Sequence, residues 1–205
     1  MKTLAIIGAS GHGRVVADAA LSSGVWDEVV FYDDAWPDKI HNGPFAIRGN
    51  SESLLTLTER PSIIIAIGDN RVRHAKQMKF AASGFFIATV VHPLAVISTR
   101  AIIGHGTVVI AGAVINTGAR VGEACIVNTN AVIEHDCVLE DAVHVSPGAC
   151  LAGGVVVGGC SWIGIGASVI QQKIIGKNVI VGANAAVVTD IPDEVTVVGV
   201  PAKVL

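Results

Sequence analysis

Rings and charges are both scarce in this sequence. Aromatic residues make up 4% and charged residues 15% of the 205 residues, while hydrophobic residues reach 51%; a typical soluble domain is about 25% charged. Long apolar runs are absent as well. A membrane-spanning helix needs about 20 consecutive apolar residues, and Gly, Asp, His or Pro interrupts every run well before that. The nearest candidate, residues 85–97, contains Thr89, His92 and Pro93. No basic N-terminal segment leads into an apolar stretch with a cleavage site, so neither membrane insertion nor export is expected, and the expected location is the cytoplasm. There is no excess of positive charge: the net charge of −3 excludes a strong general affinity for nucleic acid. The four cysteines lack paired spacing. They read as reduced, packed thiols rather than as a disulfide framework or a metal site.

What is present divides into two halves. Trp26, Phe31, Tyr32, Trp36, Phe45, Phe80, Phe85 and Phe86 lie in the first, and Trp162 is the single ring beyond them. Of 31 charged residues, 18 fall in residues 1–96 and ten in residues 97–190. Two domains are expected, residues 1–92 and 93–205, with His92-Pro93 at the turn. The first alternates strand and helix signals: strands over 4–7, 28–32, 62–67 and 86–91, and helices over 14–21 and 70–83. Strands separated by helices imply a small Rossmann-like α/β domain with a parallel sheet, whose ligands bind at the carboxyl ends of the strands.

The second half carries an internal repeat. Stepping by six from Ile97 reaches Ile103, Val109, Ile115, Val121 and Val127, and continues to Val187 through sixteen positions that are all aliphatic. A small residue sits two places earlier at most of them, as at Ala113, Ala119, Cys125 and Ala131, with Lys173 the exception that suggests a local bulge. Period six fits neither a helix nor an alternating strand. It is the signature of a parallel β-helix, in which one aliphatic per face points inward and stacked coils complete a core that no single repeat can bury. Three faces per turn make about 18 residues per coil. Glycines recur at fixed offsets from the aliphatics, suited to corners that need positive φ.

The hexapeptide array, its close in Val198-Gly199-Val200-Pro201-Ala202-Lys203, the N-terminal Gly8-Ala9-Ser10-Gly11-His12-Gly13 and the central Ile133-Glu134-His135-Asp136-Cys137 together resemble the sialic-acid O-acetyltransferase family. The likeness is strongest to its bacterial nucleotide-sugar N-acetyltransferases, which acetylate a 4-amino sugar on UDP, and it spans nearly the whole chain. The resemblance implies a left-handed β-helix, a homotrimer, acetyl-CoA as cosubstrate between neighbouring β-helices, and a nucleotide held by the small N-terminal domain. No metal is implied. Exposed apolar stripes on flat prism faces also favour self-association.

His135 is the foremost chemical candidate. Amine acetylation needs a base to take a proton as nitrogen attacks the thioester, and an imidazole suits that task near neutral pH. A neighbouring carboxylate fixes its tautomer and stabilises the imidazolium. Glu134 and Asp136 flank it; spacing leaves the choice open, and the resemblance favours Asp136. Asn128, at a matching family position, is a candidate to bond the acceptor sugar or to orient the loop, and by resemblance His144 lies near the thioester. Backbone N–H groups around Gly153-Gly154 suit a developing oxyanion, while Gly182 and Ala183 are candidates, by the same resemblance, to pack along the pantetheine arm. In the first half, Ser10, Gly11 and His12 are candidates for the pyrophosphate at a helix N-terminus. Asp33 or Asp34 suits ribose or base, and Gly68 ends another strand of the same sheet.

The expected activity is therefore transfer of acetyl from acetyl-CoA to the amine of a UDP-linked amino-dideoxy sugar. The alternative within the class is O-acetylation of sialic acid or a related sugar. A dehydrogenase fits poorly, because the glycine loop reads G-x-x-G-x-G and about 90 residues are too few for a full dinucleotide fold. A β-helix zinc lyase would need converging histidines, whereas His135 and His144 are nine residues apart and out of phase with period six. A noncatalytic sugar-nucleotide scaffold is a third reading. Trp162 has no explanation from the sequence.

Overall fold

The computed structural model describes residues 2–205 and forms two compact units, one ending at Pro93 and the other spanning Leu94–Leu205. In the first unit, strand β1 (Thr3–Ile7) leads into helix α1 (Gly11–Ser22), and β2 (Glu28–Tyr32) follows. Next come a short hairpin, β3 (His41–Asn42) and β4 (Phe45–Gly49), helix α2 (Ser51–Leu55), β5 (Ser62–Ile65) and helix α3 (Asn70–Ala82). The sheet order is β3-β4-β2-β1-β5. β1 pairs in parallel with both β2 and β5, β4 is parallel to β2, and only β3 runs antiparallel. The chain thus leaves central β1 first to one side and later to the other, which opens a crevice at the carboxyl ends of β1 and β5.

Helix α1 starts three residues earlier than expected. Ser10 is its N-cap residue, and the Arg14 N–H bonds the Ser10 carbonyl, so half of the glycine loop is the first helical turn. The hairpin was not anticipated, although Asn42-Gly43 is a turn signal; its flanking strands are too short to show periodicity. Residues 86–91 do not form the single strand expected. The Phe86 carbonyl and the Ala88 N–H both bond Ile63, giving one bridge at Ile87, and Val90–Val91 is a separate element.

The second unit is a parallel β-helix with three ladders, each pairing two-residue strands 18 residues apart. One ladder runs Val96–Ile97, Val114–Ile115, Val132–Ile133, Cys150–Leu151, Ser168–Val169, Ala186–Val187. A second runs from Ile102–Ile103 to Ile174–Ile175. The third includes Ile126–Val127, His144–Val145 and Trp162–Ile163, and closes through Thr196–Val198 onto antiparallel Lys203–Val204. From Val109 to Val187 every period-six aliphatic is at most 2% exposed. Ile97 and Ile103, at the open first coil, are half-buried. Removing such side chains from water drives this core without rings.

Every sixth residue also sits in the left-handed region, glycine at Gly112 and Gly118 but Ala124, Asn130, Asp136, Ala142, Cys160 and Gln172 elsewhere. Corners are therefore not reserved for glycine, and each non-glycine corner stores about 1 kcal/mol or more of strain held by its neighbours. Lys173 causes no bulge: Gln172 is an ordinary corner, and Ile174–Ile175 pairs in register with Val156–Val157. Its side chain is simply half-buried in the small-residue slot. Cys125 and Cys137 are buried as expected of packing residues, whereas Cys150 points outward and is exposed.

Candidate functional site

At the end of the central strands in the first unit lies a cavity of about 380 Å³, lined by Gly8, Ser10, Asp33, Asp34, Gly68 and Lys76 among others. Ile67 and Val72 give it an apolar side. Asp33 does not present a free carboxylate. Its Oδ2 accepts from the Ala9 N–H at 2.5 Å and its Oδ1 from the Ala35 N–H at 2.9 Å, so it fastens the glycine loop to the end of β2. Lys39 Nζ donates to the Ala9 carbonyl and Asn42 Nδ2 to the Ser10 carbonyl at 3.1 Å, bracing the same loop from the hairpin.

Asp34 pairs with Lys76 Nζ at 2.6 Å and accepts from the Ser51 N–H at 2.9 Å. Burial alone would raise its pKa; hydrogen bonds from Lys76 and Ser51 and the lysine charge outweigh that and hold it at about 2. Lys76 escaped the sequence reading, yet Val72 and Lys76 are four apart on one helix and both line the cavity. Behind this wall Arg73 is fully buried and donates to the Ile67 and Gly68 carbonyls at 2.9 and 3.2 Å.

Ser10 and Gly68 line the cavity, but Gly11 and His12 do not. Gly11 is exposed at the start of α1. His12 turns inward: burial, with the Arg73 charge adding to it, lowers its pKa to about 4, and its Nε2 has no hydrogen-bond partner among the described residues. The fold favours its neutral form.

In the β-helix, His135 and Asp136 occupy the corner after Val132–Ile133. Asp136 has φ 61°, and from that left-handed position its Oδ2 lies 2.9 Å from His135 Nδ1. A carboxylate only accepts, so Nδ1 carries a proton, and Nε2 is the ring nitrogen left to take one from a substrate. Glu134 accepts from the His135 backbone N–H at 3.3 Å and leaves the ring alone. Both members of the pair are solvent-exposed.

Two glycines make room for them. A Cβ on Gly153, one coil further on, would stand 2.5 Å from His135 Nε2 and 2.6 Å from its Cε1. A Cβ on Gly118, one coil back and with φ 74°, would strike Asp136 Oδ1. Nε2 thus faces the Gly153 backbone. The Gly154 N–H already bonds the His135 carbonyl at 2.9 Å, so it is not free for an oxyanion.

A second cluster lies on the third ladder, away from that corner. His144 is 8% exposed and stacks on Trp162, ring centroids 5.0 Å apart and planes 21° apart. Trp162 Nε1 donates to Ser146 Oγ at 2.7 Å, and Asn128 Nδ2 lies 3.2 Å from His144 Nε2. Trp162 therefore occupies the array because it is the stacking partner of His144 one coil away. Gly182 stands in the same column as Asn128, three coils on, or about 14 Å at the usual strand spacing, and is pressed against Val198. Ala183 beside it is exposed.

A nucleotide-type crevice in a parallel-sheet unit and a carboxylate-supported histidine on a β-helix corner define a two-domain acyltransferase of the left-handed β-helix class. Residues 3–80 match the PglD N-terminal domain family. The acetyltransferase domain of PglB from Neisseria gonorrhoeae, solved with acetyl coenzyme A, is 44% identical over 100% of this chain and 99% of its own, with a TM-score of 0.96. PerB from Caulobacter crescentus, solved with CoA and GDP-perosamine, is 37% identical over 100% and 98%, with a TM-score of 0.95. The UDP-N-acetylbacillosamine N-acetyltransferase of Bacillus subtilis is 39% identical over 114 residues, 54% of this chain and about half (52%) of that protein. The chain belongs to the PglD-type family of nucleotide-sugar acetyltransferases.

Proposed function

We propose that the protein transfers the acetyl group of acetyl-CoA to the 4-amino group of a UDP-linked amino-dideoxy sugar. The observation that carries this reading is the His135–Asp136 pair, 2.9 Å apart, with His135 Nε2 turned to the Gly153 backbone. The amine nitrogen attacks the thioester carbonyl carbon, and His135 Nε2 takes the proton the nitrogen loses. Asp136 stabilises the resulting imidazolium. The Gly153 N–H donates to the oxyanion of the tetrahedral intermediate. Collapse breaks the carbon–sulfur bond, and the departing CoA thiolate recovers the proton from His135. No acyl-enzyme is formed.

The acetyl-CoA arm runs along the third ladder past His144 toward Gly182 and Ala183, and Asn128 contacts the acceptor sugar. The cavity bounded by Ser10, Asp34, Gly68 and Lys76 receives the nucleotide. His135 stands at the corner between the first two ladders and His144 on the third, so a homotrimer that sets the corner of one copy against the third ladder of the next completes the site. Among the described residues no helix is long and apolar enough to cross a membrane, and a cytoplasmic reaction fits the cosubstrate. Thioester consumption against UDP, GDP and dTDP amino sugars, with sialic acid as hydroxyl acceptor, tests the reading. The UDP amino sugar is expected to turn over fastest; preference for sialic acid would overturn it.

A further inference from the structure

His144 is held by contacts on two sides, and together they decide where its proton sits. Asn128 Oδ1 accepts from the Thr129 N–H at 2.8 Å. A backbone N–H only donates, so the amide oxygen must face Thr129 and Nδ2 must face His144. Nδ2 is 3.2 Å from His144 Nε2, and a donor there requires a lone pair on that ring nitrogen. His144 is then neutral with its proton on Nδ1. Tilting the ring out of its plane would break this bond and the stack on Trp162 together, a flip within the plane would set a carbon against Asn128 Nδ2, and Trp162 is itself tied through Nε1–H to Ser146 Oγ at 2.7 Å.

We propose that Trp162 is a positioning residue: anchored by Ser146, it holds the His144 ring, in its Nδ1–H tautomer, where Nε2 meets Asn128 Nδ2, and so keeps the Asn128 amide at a set direction. One Nδ2 hydrogen of Asn128 is directed to His144, and the second is left at a set direction for a ligand acceptor. Asn128 is half-buried, so that hydrogen is within reach of a bound molecule. Proton transfer belongs to His135, whose partner is a carboxylate, and not to His144, whose partner is an amide donor. The ligand contact rests on the proposed reading of Asn128 as an acceptor-sugar residue; the tautomer does not.

The test has a spectroscopic and a kinetic arm. With 15N-histidine, the long-range 1H–15N correlation of His144 in the wild type is expected to show the Nδ1–H form, and an Nε2–H form overturns the proposal. Trp162→Ala is expected to disperse that signal and to raise KM for the amino sugar nucleotide about tenfold, the size of one lost ligand hydrogen bond, with KM for acetyl-CoA within about twofold. Trp162→Phe keeps the stack and is expected to stay within about threefold of wild type, the small loss of a single neutral hydrogen bond. Equal KM changes for both substrates in Trp162→Ala would mark a merely structural role and overturn it, as would wild-type kinetics with an unchanged His144 spectrum. Failure of the proposed function reads differently: no sugar nucleotide is acetylated, while the wild-type tautomer still decides the His144 assignment.

Discussion

Around the cavity of the N-terminal unit, Asp33 is held by two backbone amides, Asp34 by Lys76 and Ser51, and Arg73 by two carbonyls. The β-helix instead exposes the His135–Asp136 pair at a strained corner, supported by empty space that Gly118 and Gly153 supply. One unit fixes a binding wall by satisfying its polar groups internally, which suits recognition of a ligand that arrives with its own charges. The other repeats one unit and departs from it at few positions, leaving the His135–Asp136 pair open to solvent. In a repeat, chemistry stands out as what breaks or decorates the period; in the α/β unit it is spread over loops that the sheet brings together.

The largest expected effect breaks the exposed half. His135→Ala is expected to lower kcat for the amino sugar about 10²–10⁴-fold, the usual worth of a positioned base, with an unchanged circular dichroism spectrum. A loss under about tenfold would leave no room for a general base at that residue.

The next effect acts on the inward-facing half. His12 titrates at about 4 in the fold against an ordinary 6.5, so the fold favours its neutral form. The stability this provides is complete above pH 6.5 and is lost as pH falls through 4, on the order of 3 kcal/mol in all. Asp34, depressed from 3.8 to about 2, loses its contribution only below that window. Urea unfolding followed by Trp26 and Trp36 fluorescence should show this acid limb, and His12→Asn should flatten it. Identical slopes in the two proteins would contradict the buried imidazole.

A smaller effect sharpens the role of the cradle. Gly153→Ala places a methyl group where the imidazole of His135 now lies. A displacement near 1 Å costs about a hundredfold in rate. The expected result is a kcat loss of that order with KM for the nucleotide sugar little changed; wild-type kcat would show that the ring tolerates the shift.

The β-helix was legible because its inward aliphatics recur without a gap, and a period of six admits one architecture. The corner was legible to within a residue, but which carboxylate meets His135 was not, since it depends on the left-handed φ of Asp136. Trp162 was opaque for a related reason. Its partner His144 is 18 residues away in sequence and adjacent only after one full coil. In the first unit, strand and helix order followed from alternation, while the burial of His12 and the capture of Asp33 by the Ala9 N–H depend on groups far apart in sequence. Lys76 could have been found from its four-residue spacing to Val72 once α3 was placed.

On the proposed function, this chain both holds a sugar nucleotide and acetylates its 4-amino group. The most direct test is product analysis by mass spectrometry and NMR after incubation of the wild-type protein with acetyl-CoA and a UDP-linked 4-amino-dideoxy sugar. One CoA is expected to be released for each sugar, with acetyl on the 4-nitrogen. Acetyl found on a sugar oxygen, or no consumption of the thioester, would contradict it.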